Sequence, residues 1–164
     1  MKKVAFFDRD GVINKKAEEH QYITSIENFV WNDRIFNLMR KLQDLGFEII
    51  IITNQRGVAR KIMTEKDLDI IHEYIGNTFK QKGVDILEIL FCPHEENSCE
   101  CRKPKPGLIN QAREKYSIDM ENSILISDSQ KDIEMGTKSG LKYSIFIPSD
   151  RLDVAIKILD TLSL

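Results

Sequence analysis

The sequence predicts an α/β protein built on a doubly wound parallel sheet. Short apolar runs alternate along the chain with segments in which apolar residues recur at helical spacing. The runs are continuous, which is typical of parallel strands that are buried on both faces. Polar motifs follow several runs directly, and open α/β sheets bind their ligands beyond the carboxyl ends of the strands.

The first half of the chain contains two predicted strand and helix pairs. Val4 to Phe7 is a short apolar strand, and apolar residues over 35–45 recur at helical intervals up to a terminating glycine. The β-branched run over 47–52 predicts the second strand. A threonine and aspartate capping pair opens the next helix, over 64–83, which a glycine ends.

The second half continues the same alternation. Strands are predicted over 86–91, 123–127 and 143–147, and helices over 108–116, 132–139 and 152–162. Strands that alternate with helices in this way predict right-handed crossovers.

Composition predicts one globular domain over residues 1–164. With 41% hydrophobic and 30% charged residues, the chain can bury a core without disulfides. Its net charge of -2 does not indicate binding to nucleic acid or to an anionic membrane. The apolar start is cut short at Asp8, and no later segment approaches the roughly 20 apolar residues of a membrane helix. We therefore expect a cytoplasmic protein without nucleic-acid or membrane partners. The lack of heptads or a long apolar stripe favours a monomer.

The motif Asp8-Arg9-Asp10-Gly11 follows the first strand. The glycine lets the backbone turn away, so both carboxylates can point into one crevice. One carboxylate can attack phosphorus and form an aspartyl phosphate, while the other protonates the departing oxygen and then activates water. An isolated motif of this kind is more often a turn, but its position after a strand favours catalysis.

Further polar residues are expected at the same edge. Asp8 and Asp128 offer the oxygen ligands that Mg²⁺ prefers, Thr53 can donate to a phosphoryl oxygen, and Lys103 can neutralise developing charge. Each has an ordinary alternative: a capping turn for Thr53, a solvated cation for Lys103, a helix entry for Asp128. Several such residues after successive strands favour a shared site.

The loop over 92–101 gathers the chain's three cysteines and one of its three histidines. Two closely spaced ligand pairs suit a tetrahedral zinc site, with the ligands Cys92, His94, Cys99 and Cys101. Free or redox-active thiols are an alternative. A disulfide is weaker because three thiols cannot all pair and nothing marks the chain as secreted.

Together the motifs resemble the haloacid dehalogenase superfamily of phosphohydrolases, in the subgroup that lacks a large cap domain. The resemblance covers nearly the whole chain and rests on four segments: Asp8-Arg9-Asp10-Gly11, Thr53-Asn54-Gln55, Arg102-Lys103-Pro104 and Ser127-Asp128. It implies a minimal cap over a Rossmann-like sheet. With the zinc loop included, the chain is similar to the families of D-glycero-D-manno-heptose 1,7-bisphosphate phosphatases and histidinol-phosphate phosphatases.

The resemblance also implies roles for individual residues. Asp8 would be the nucleophile and a Mg²⁺ ligand, Asp10 the general acid and base that gives its main-chain carbonyl to Mg²⁺, and Asp128 the third ligand. Zinc would stabilise the loop that precedes Lys103. The residues that bind phosphate or substrate would be Thr53, Asn54, Gln55, Lys103 and Arg102, the last reading a more distant anionic group.

The implied activity is removal of the 7-phosphate of a heptose 1,7-bisphosphate, a sugar phosphate used to make nucleotide-activated heptose for lipopolysaccharide or capsule. Histidine biosynthesis through histidinol phosphate is the alternative within the enzyme class, and a non-catalytic zinc-stabilised binding module is the alternative outside it. The complete set of motif residues argues against the module. One departure bears on substrate choice, because relatives often have a basic residue where this chain has Ser129, so that one phosphate contact is either missing or supplied by Lys131. His20 and His72 have no ligand partner nearby in sequence, and we expect no functional role for either.

Overall fold

The computed structural model describes residues 1–162, and within them strands and helices alternate. The strands are β1 (Val4–Phe7), β2 (Glu48–Asn54), β3 (Ile86–Cys92), β4 (Ile124–Ser127) and β5 (Tyr143–Phe146). The helices are α1 (Ile35–Asp44), α2 (Glu65–Gln81), α3 (Gly107–Lys115), α4 (Gln130–Lys138) and α5 (Leu152–Thr161), with short 3-10 turns at Ile26–Asn28 and Met120–Asn122. All strand pairs are parallel, in the order β3-β2-β1-β4-β5, which confirms the predicted fold class.

Helices cover both faces of the sheet. Successive side chains of a strand point to opposite faces. In β1, Ala5 and Phe7 pack into a core shared with α1, α2 and α5, whereas Val4 and Phe6 pack into a second core with α3 and α4. Burial on both faces explains why the strands are continuous apolar runs in the sequence.

Several elements extend beyond their predicted bounds on the side that carries the motifs, and two of them, β2 and α4, do so by two residues. β2 continues through Thr53 and Asn54, because these residues pair with Phe91 and Cys92 of β3. α4 begins two residues earlier than predicted, which places Asp132 in its first turn. In both places the backbone of polar residues is therefore fixed by the hydrogen bonds of a strand or a helix.

The segment between β1 and α1, residues 8–34, is the longest connection within residues 1–162 and is held by short contacts. Asn14 forms isolated bridges with Asp10 and with Trp31, and Asn32 donates to the carbonyl of Val12 at 2.8 Å. Among the helices described, none is both long and apolar enough to span a bilayer.

Candidate active site

The strand ends bring three polar segments to one edge of the sheet. The strands are parallel, so β1, β2 and β4 end on the same side. β1 lies between the other two, and Asp8, the first residue after it, is flanked by their ends. Successive strands are added to one side of β1 up to β3 and to its other side from β4 onwards, and doubly wound sheets open a crevice for ligands at such a reversal.

Lys103 joins two buried carboxylates at this edge. Its Nζ donates to Asp8 Oδ1 at 2.8 Å and to Asp132 Oδ2 at 2.6 Å, and its side chain is 3% exposed. Burial alone would lower the pKa of Lys103, but the two carboxylates outweigh burial and raise the pKa above its ordinary value. Lys103 is therefore a fixed positive charge beside Asp8.

The carboxyl group of Asp8 is held on both oxygens. The N–H of Arg9 donates to Oδ1 at 2.8 Å, and Ser127 Oγ lies 3.3 Å from Oδ2. Burial raises the pKa of Asp8 to about 6, with a further rise from Asp132 and an opposing effect from Lys103. At neutral pH Asp8 is mostly a carboxylate, which is the form that attacks phosphorus.

The carboxylate of Asp10 is held by three side chains. The buried Arg9 donates from Nη2 to both oxygens at 3.1 Å, and Asn14 Nδ2 and Gln55 Nε2 each donate at 2.9 Å. Burial alone would raise the pKa of Asp10, but Arg9 and these hydrogen bonds lower it below its ordinary value. Arg9 Nη1 also lies 3.5 Å from His72 Nε2, and burial together with the charge of Arg9 lowers the pKa of His72 to about 3. His72 is therefore neutral and Asp10 ionised in this arrangement.

Asp128 lies close to the backbone that follows Asp10. Gly11 has a φ of 89°, and a Cβ there would lie 2.2 Å from Asp128 Oδ2. The same oxygen accepts from Lys16 Nζ at 2.9 Å and from Ser149 Oγ. An ammonium group on Asp128 indicates that this position stabilises positive charge. The carboxylates of Asp8 and Asp128 line the same cavity, and their oxygens are hard donors of the kind that Mg²⁺ prefers.

The residues at the end of β2 are tied to the segment that carries Lys103. Asn54 Nδ2 donates to the carbonyl of Lys103 at 3.1 Å, and the N–H of Lys103 donates to Asn54 Oδ1 at 3.0 Å. The N–H of Gln55 donates to the carbonyl of Cys92 at 2.7 Å. Gln55 Nε2 donates to Thr53 Oγ1 at 2.8 Å, which leaves the O–H of Thr53 able to donate to a phosphoryl oxygen.

The four predicted zinc ligands converge. Their ligand atoms all lie within 4.8 Å of one another. Cys101 Sγ is 3.0 Å from Cys92 Sγ, 3.4 Å from Cys99 Sγ and 3.2 Å from His94 Nδ1. These separations are too long for a disulfide, and they approach the roughly 3.5–3.8 Å edges of a tetrahedron around zinc. The soft donor set of three thiols and an imidazole fits zinc.

One cavity of about 410 Å³ opens above Asp8, at the edge of the sheet where β1, β2 and β4 end. Each residue predicted to be catalytic, substrate-binding or a magnesium ligand lines it: Asp8, Asp10, Thr53, Asn54, Gln55, Arg102, Lys103 and Asp128. Tyr22 lines it as well, whereas Trp31 packs against Phe29 and donates from Nε1 to the Tyr74 hydroxyl at 3.1 Å. Lys131 lines a smaller cavity of about 280 Å³, which it shares with Arg102.

Several residues that contact the site were not among the predicted site residues, and three of them hold the reacting groups. Asp132 pairs with Lys103, Arg9 holds Asp10, and His72 faces Arg9. The sequence carries a signal for Asp132, because it falls one helical turn after Asp128 at a helix start. No local pattern marks His72, which reaches the site from the middle of α2.

A buried aspartate beside a lysine, at the reversal point of a five-stranded parallel sheet, is the arrangement of a haloacid dehalogenase phosphatase. Relatives of the chain are named as phosphatases, and the chain is accordingly a phosphoric monoester hydrolase. The family profile described as polynucleotide kinase 3 phosphatase matches residues 3–147, and the chain belongs to this family within the superfamily.

Two relatives carry more specific names. The chain is 48% identical over 147 residues to the D-glycero-alpha-D-manno-heptose-1,7-bisphosphate 7-phosphatase of Photorhabdus laumondii, with 85% of this chain and 79% of the relative covered. It is 33% identical to the D-glycero-beta-D-manno-heptose-1,7-bisphosphate 7-phosphatase of Yersinia pestis, over 87% of this chain and 78% of the relative.

A solved structure shares the fold. The D,D-heptose 1.7-bisphosphate phosphatase from B. bronchiseptica, complexed with magnesium and phosphate, superimposes with a TM-score of 0.82 at 20% identity. The match covers 97% of this chain and 99% of that one.

Proposed function

We propose that the chain is a Mg²⁺-dependent phosphatase that removes the 7-phosphate from D-glycero-D-manno-heptose 1,7-bisphosphate, in the synthesis of nucleotide-activated heptose. The observation that carries the chemistry is the Asp8 carboxylate held by Lys103 beneath a 410 Å³ cavity. The heptose substrate is supported by the names of the relatives. We favour the α anomer, because that name belongs to the relative at 48% identity.

The reaction starts with Asp8. A carboxylate oxygen of Asp8 forms a bond to phosphorus, the bond from phosphorus to the sugar oxygen breaks, and Asp10 gives a proton to that oxygen. An aspartyl phosphate results. Asp10 then takes a proton from water, which attacks phosphorus and regenerates Asp8. Asp10 is ionised in the free enzyme, so it has to take up a proton from solvent before it can act as the acid. Exchanging its bonds with Arg9 for the leaving oxygen favours this uptake, because it raises the pKa of Asp10.

The transferring phosphoryl group is stabilised by neighbouring positive charge and hydrogen-bond donors. Lys103 is already charged beside Asp8, and Thr53 has an O–H to donate. Asn54 and Gln55 line the same cavity and hold these two residues in place. Mg²⁺, held by Asp8, Asp128 and the carbonyl of Asp10, would offset the repulsion between phosphate and carboxylates.

Zinc has a structural role in this proposal. Cys101 directly precedes Arg102 and Lys103, so a metal bound by Cys92, His94, Cys99 and Cys101 anchors the cations that meet the substrate. The catalytic unit is one domain with a zinc-binding loop at 92–101. It acts as a cytoplasmic monomer on a small sugar phosphate.

Phosphate release measured side by side tests the proposal. The substrates are both anomers of heptose 1,7-bisphosphate, histidinol phosphate and a 3′-phosphorylated oligonucleotide, each with and without Mg²⁺. We expect the α-heptose bisphosphate to give the highest kcat/KM, and only with Mg²⁺. A preference for histidinol phosphate or for the oligonucleotide refutes the substrate assignment, and no release from any substrate refutes the catalytic role.

A further inference from the structure

Two arginines meet one carboxylate at the mouth of the active-site cavity. Arg56 and Arg102 come from separate loops, and both line the cavity that contains Asp8. Arg56 Nη1 lies 3.5 Å and Arg102 Nη2 lies 3.9 Å from the same atom, Glu96 Oε1. Arg56 Nη1 also lies 3.3 Å from Glu95 Oε1, so two positive charges are gathered beside two carboxylates, of which only Glu96 is shared by both arginines.

Glu96 is a weakly held partner for these arginines. Both distances exceed the roughly 2.7–2.9 Å of a charge-assisted hydrogen bond. The Glu96 side chain is 64% exposed, whereas those of Arg56 and Arg102 are 30% and 15% exposed. An exposed ion pair of this kind contributes on the order of 1 kcal/mol or less. A phosphate monoester has about two negative charges and three acceptor oxygens, so it can replace Glu96 and bind the guanidinium groups more strongly.

Arg60 is a matched counterpart from the same loop. Its Nε donates to Glu95 Oε2 at 2.8 Å, and its Nη1 donates to the Tyr22 hydroxyl at 3.2 Å. Its guanidinium is committed to protein partners, and Arg60 is not among the described residues that line the cavity. Arg56 and Arg60 both contact Glu95, yet only Arg56 also reaches the cavity.

Building on the proposed function, we propose that Arg56 is a specificity-determining residue that binds, together with Arg102, the phosphate of the bisphosphate that is not cleaved, and that Glu96 occupies this position in the free enzyme. The reacting phosphate lies over Asp8, and the second phosphate exchanges with Glu96 at the mouth. A monophosphate has no second phosphate to displace Glu96, so Arg56 stays paired with Glu96 and contributes no binding energy to the substrate.

The test compares kcat/KM for the heptose bisphosphate and for p-nitrophenyl phosphate. In Arg56→Gln, we expect about a tenfold loss on the bisphosphate, as for removal of a hydrogen bond to a charged group, and less than about a twofold change on p-nitrophenyl phosphate. Arg60→Gln should stay within about twofold of wild type on both substrates, because Arg60 itself does not line the cavity. Glu96→Gln should lower KM for the bisphosphate by about two- to fivefold, because the competing charge is gone.

Several results overturn the inference. Equal losses on both substrates in Arg56→Gln would assign Arg56 to the reacting phosphate or to the fold. An unchanged KM in Glu96→Gln would remove Glu96 from the scheme.

If wild type does not cleave the heptose bisphosphate, the proposed function fails and the inference is tested separately. Glucose 1,6-bisphosphate and glucose 6-phosphate are then compared as inhibitors of p-nitrophenyl phosphate turnover. Wild type should prefer the bisphosphate, and Arg56→Gln should lose about tenfold of that preference. Equal inhibition of wild type by the two sugars overturns the inference.

Discussion

The first residue of α3 contacts the zinc-binding loop with no room for a side chain. A Cβ on Gly107 would lie 2.2 Å from the carbonyl oxygen of Glu100 and 2.6 Å from Cys101 Cα. Both atoms belong to the backbone, so no side-chain rotation relieves the contact. Ordinary contacts begin near 3.4 Å, so Gly107→Ala has to move the loop or the helix by about 1 Å.

This displacement should affect both stability and activity. Overpacking of a well-packed position lowers the free energy of unfolding by about 1–3 kcal/mol. Cys101 is a zinc ligand of the proposal and precedes Arg102 and Lys103, so the shift reaches the cation beside Asp8. A misplacement of about 1 Å can lower a rate by about 100-fold, and we expect kcat/KM to fall by at least about tenfold.

Urea unfolding and kcat/KM on p-nitrophenyl phosphate measure the two effects. The matched control is Gly76→Ala in α2, where nothing lies within 4 Å of the added Cβ. It should raise the free energy of unfolding by about 0.5–1 kcal/mol, because alanine is favoured over glycine inside a helix, and leave activity unchanged. The packing argument is refuted if Gly107→Ala matches wild type in both measurements, or if Gly76→Ala is equally harmful.

Three further predictions follow from the titratable groups and the zinc ligands. Asp8→Asn should abolish turnover. Without Mg²⁺, this variant should also be more stable than wild type at pH 8, by up to about 3 kcal/mol. The raised pKa of Asp8 means that its ionised form destabilises the folded protein. That gain should vanish below about pH 4, where Asp8 is protonated in both the folded and unfolded states, and urea titrations at the two pH values check it. As pH falls from 6.5 to 5, the free energy of unfolding of wild type should fall by up to about 2 kcal/mol relative to that of His72→Gln, since only the unfolded state protonates His72. An equal change in the free energy of unfolding of both proteins over this pH range would contradict the prediction. Purified protein should hold about one zinc per chain, and Cys99→Ser should lose zinc and melt at a lower temperature by metal analysis and thermal scans.

Much of the fold was predictable because each strand is buried on both faces. Continuous apolar runs such as Val4–Phe7 and a capping pair such as Thr64 and Asp67 are local signals, and the structure has a strand and a helix start at these places. The end of β2 was less predictable. Its last two residues are polar, and they join the strand only because β3 lies beside them.

Motif residues such as Asp8 and Asp128 were predictable, because they follow a strand directly. Their partners were not. Arg9 is completely buried although arginine is normally exposed, and its guanidinium contacts the neighbouring Asp10 and the distant His72. Asp132 has the sequence context of an ordinary helix entry, and its pairing with Lys103 depends on a residue 29 positions away.

The reciprocal hydrogen bonds between Asn54 and Lys103 make two loops one cooperative unit. Both bonds join the side-chain amide of Asn54 to the backbone of Lys103, so local opening of the segment that carries Lys103 breaks both and is coupled to the end of β2. The bond from the Gln55 N–H to the Cys92 carbonyl adds a third link between the same two segments. A metal that stiffens residues 92–101 therefore also suppresses local unfolding around Thr53, although Thr53 is not a ligand. If the proposed function holds, precision at the reacting phosphate is set partly by a metal that does no chemistry there.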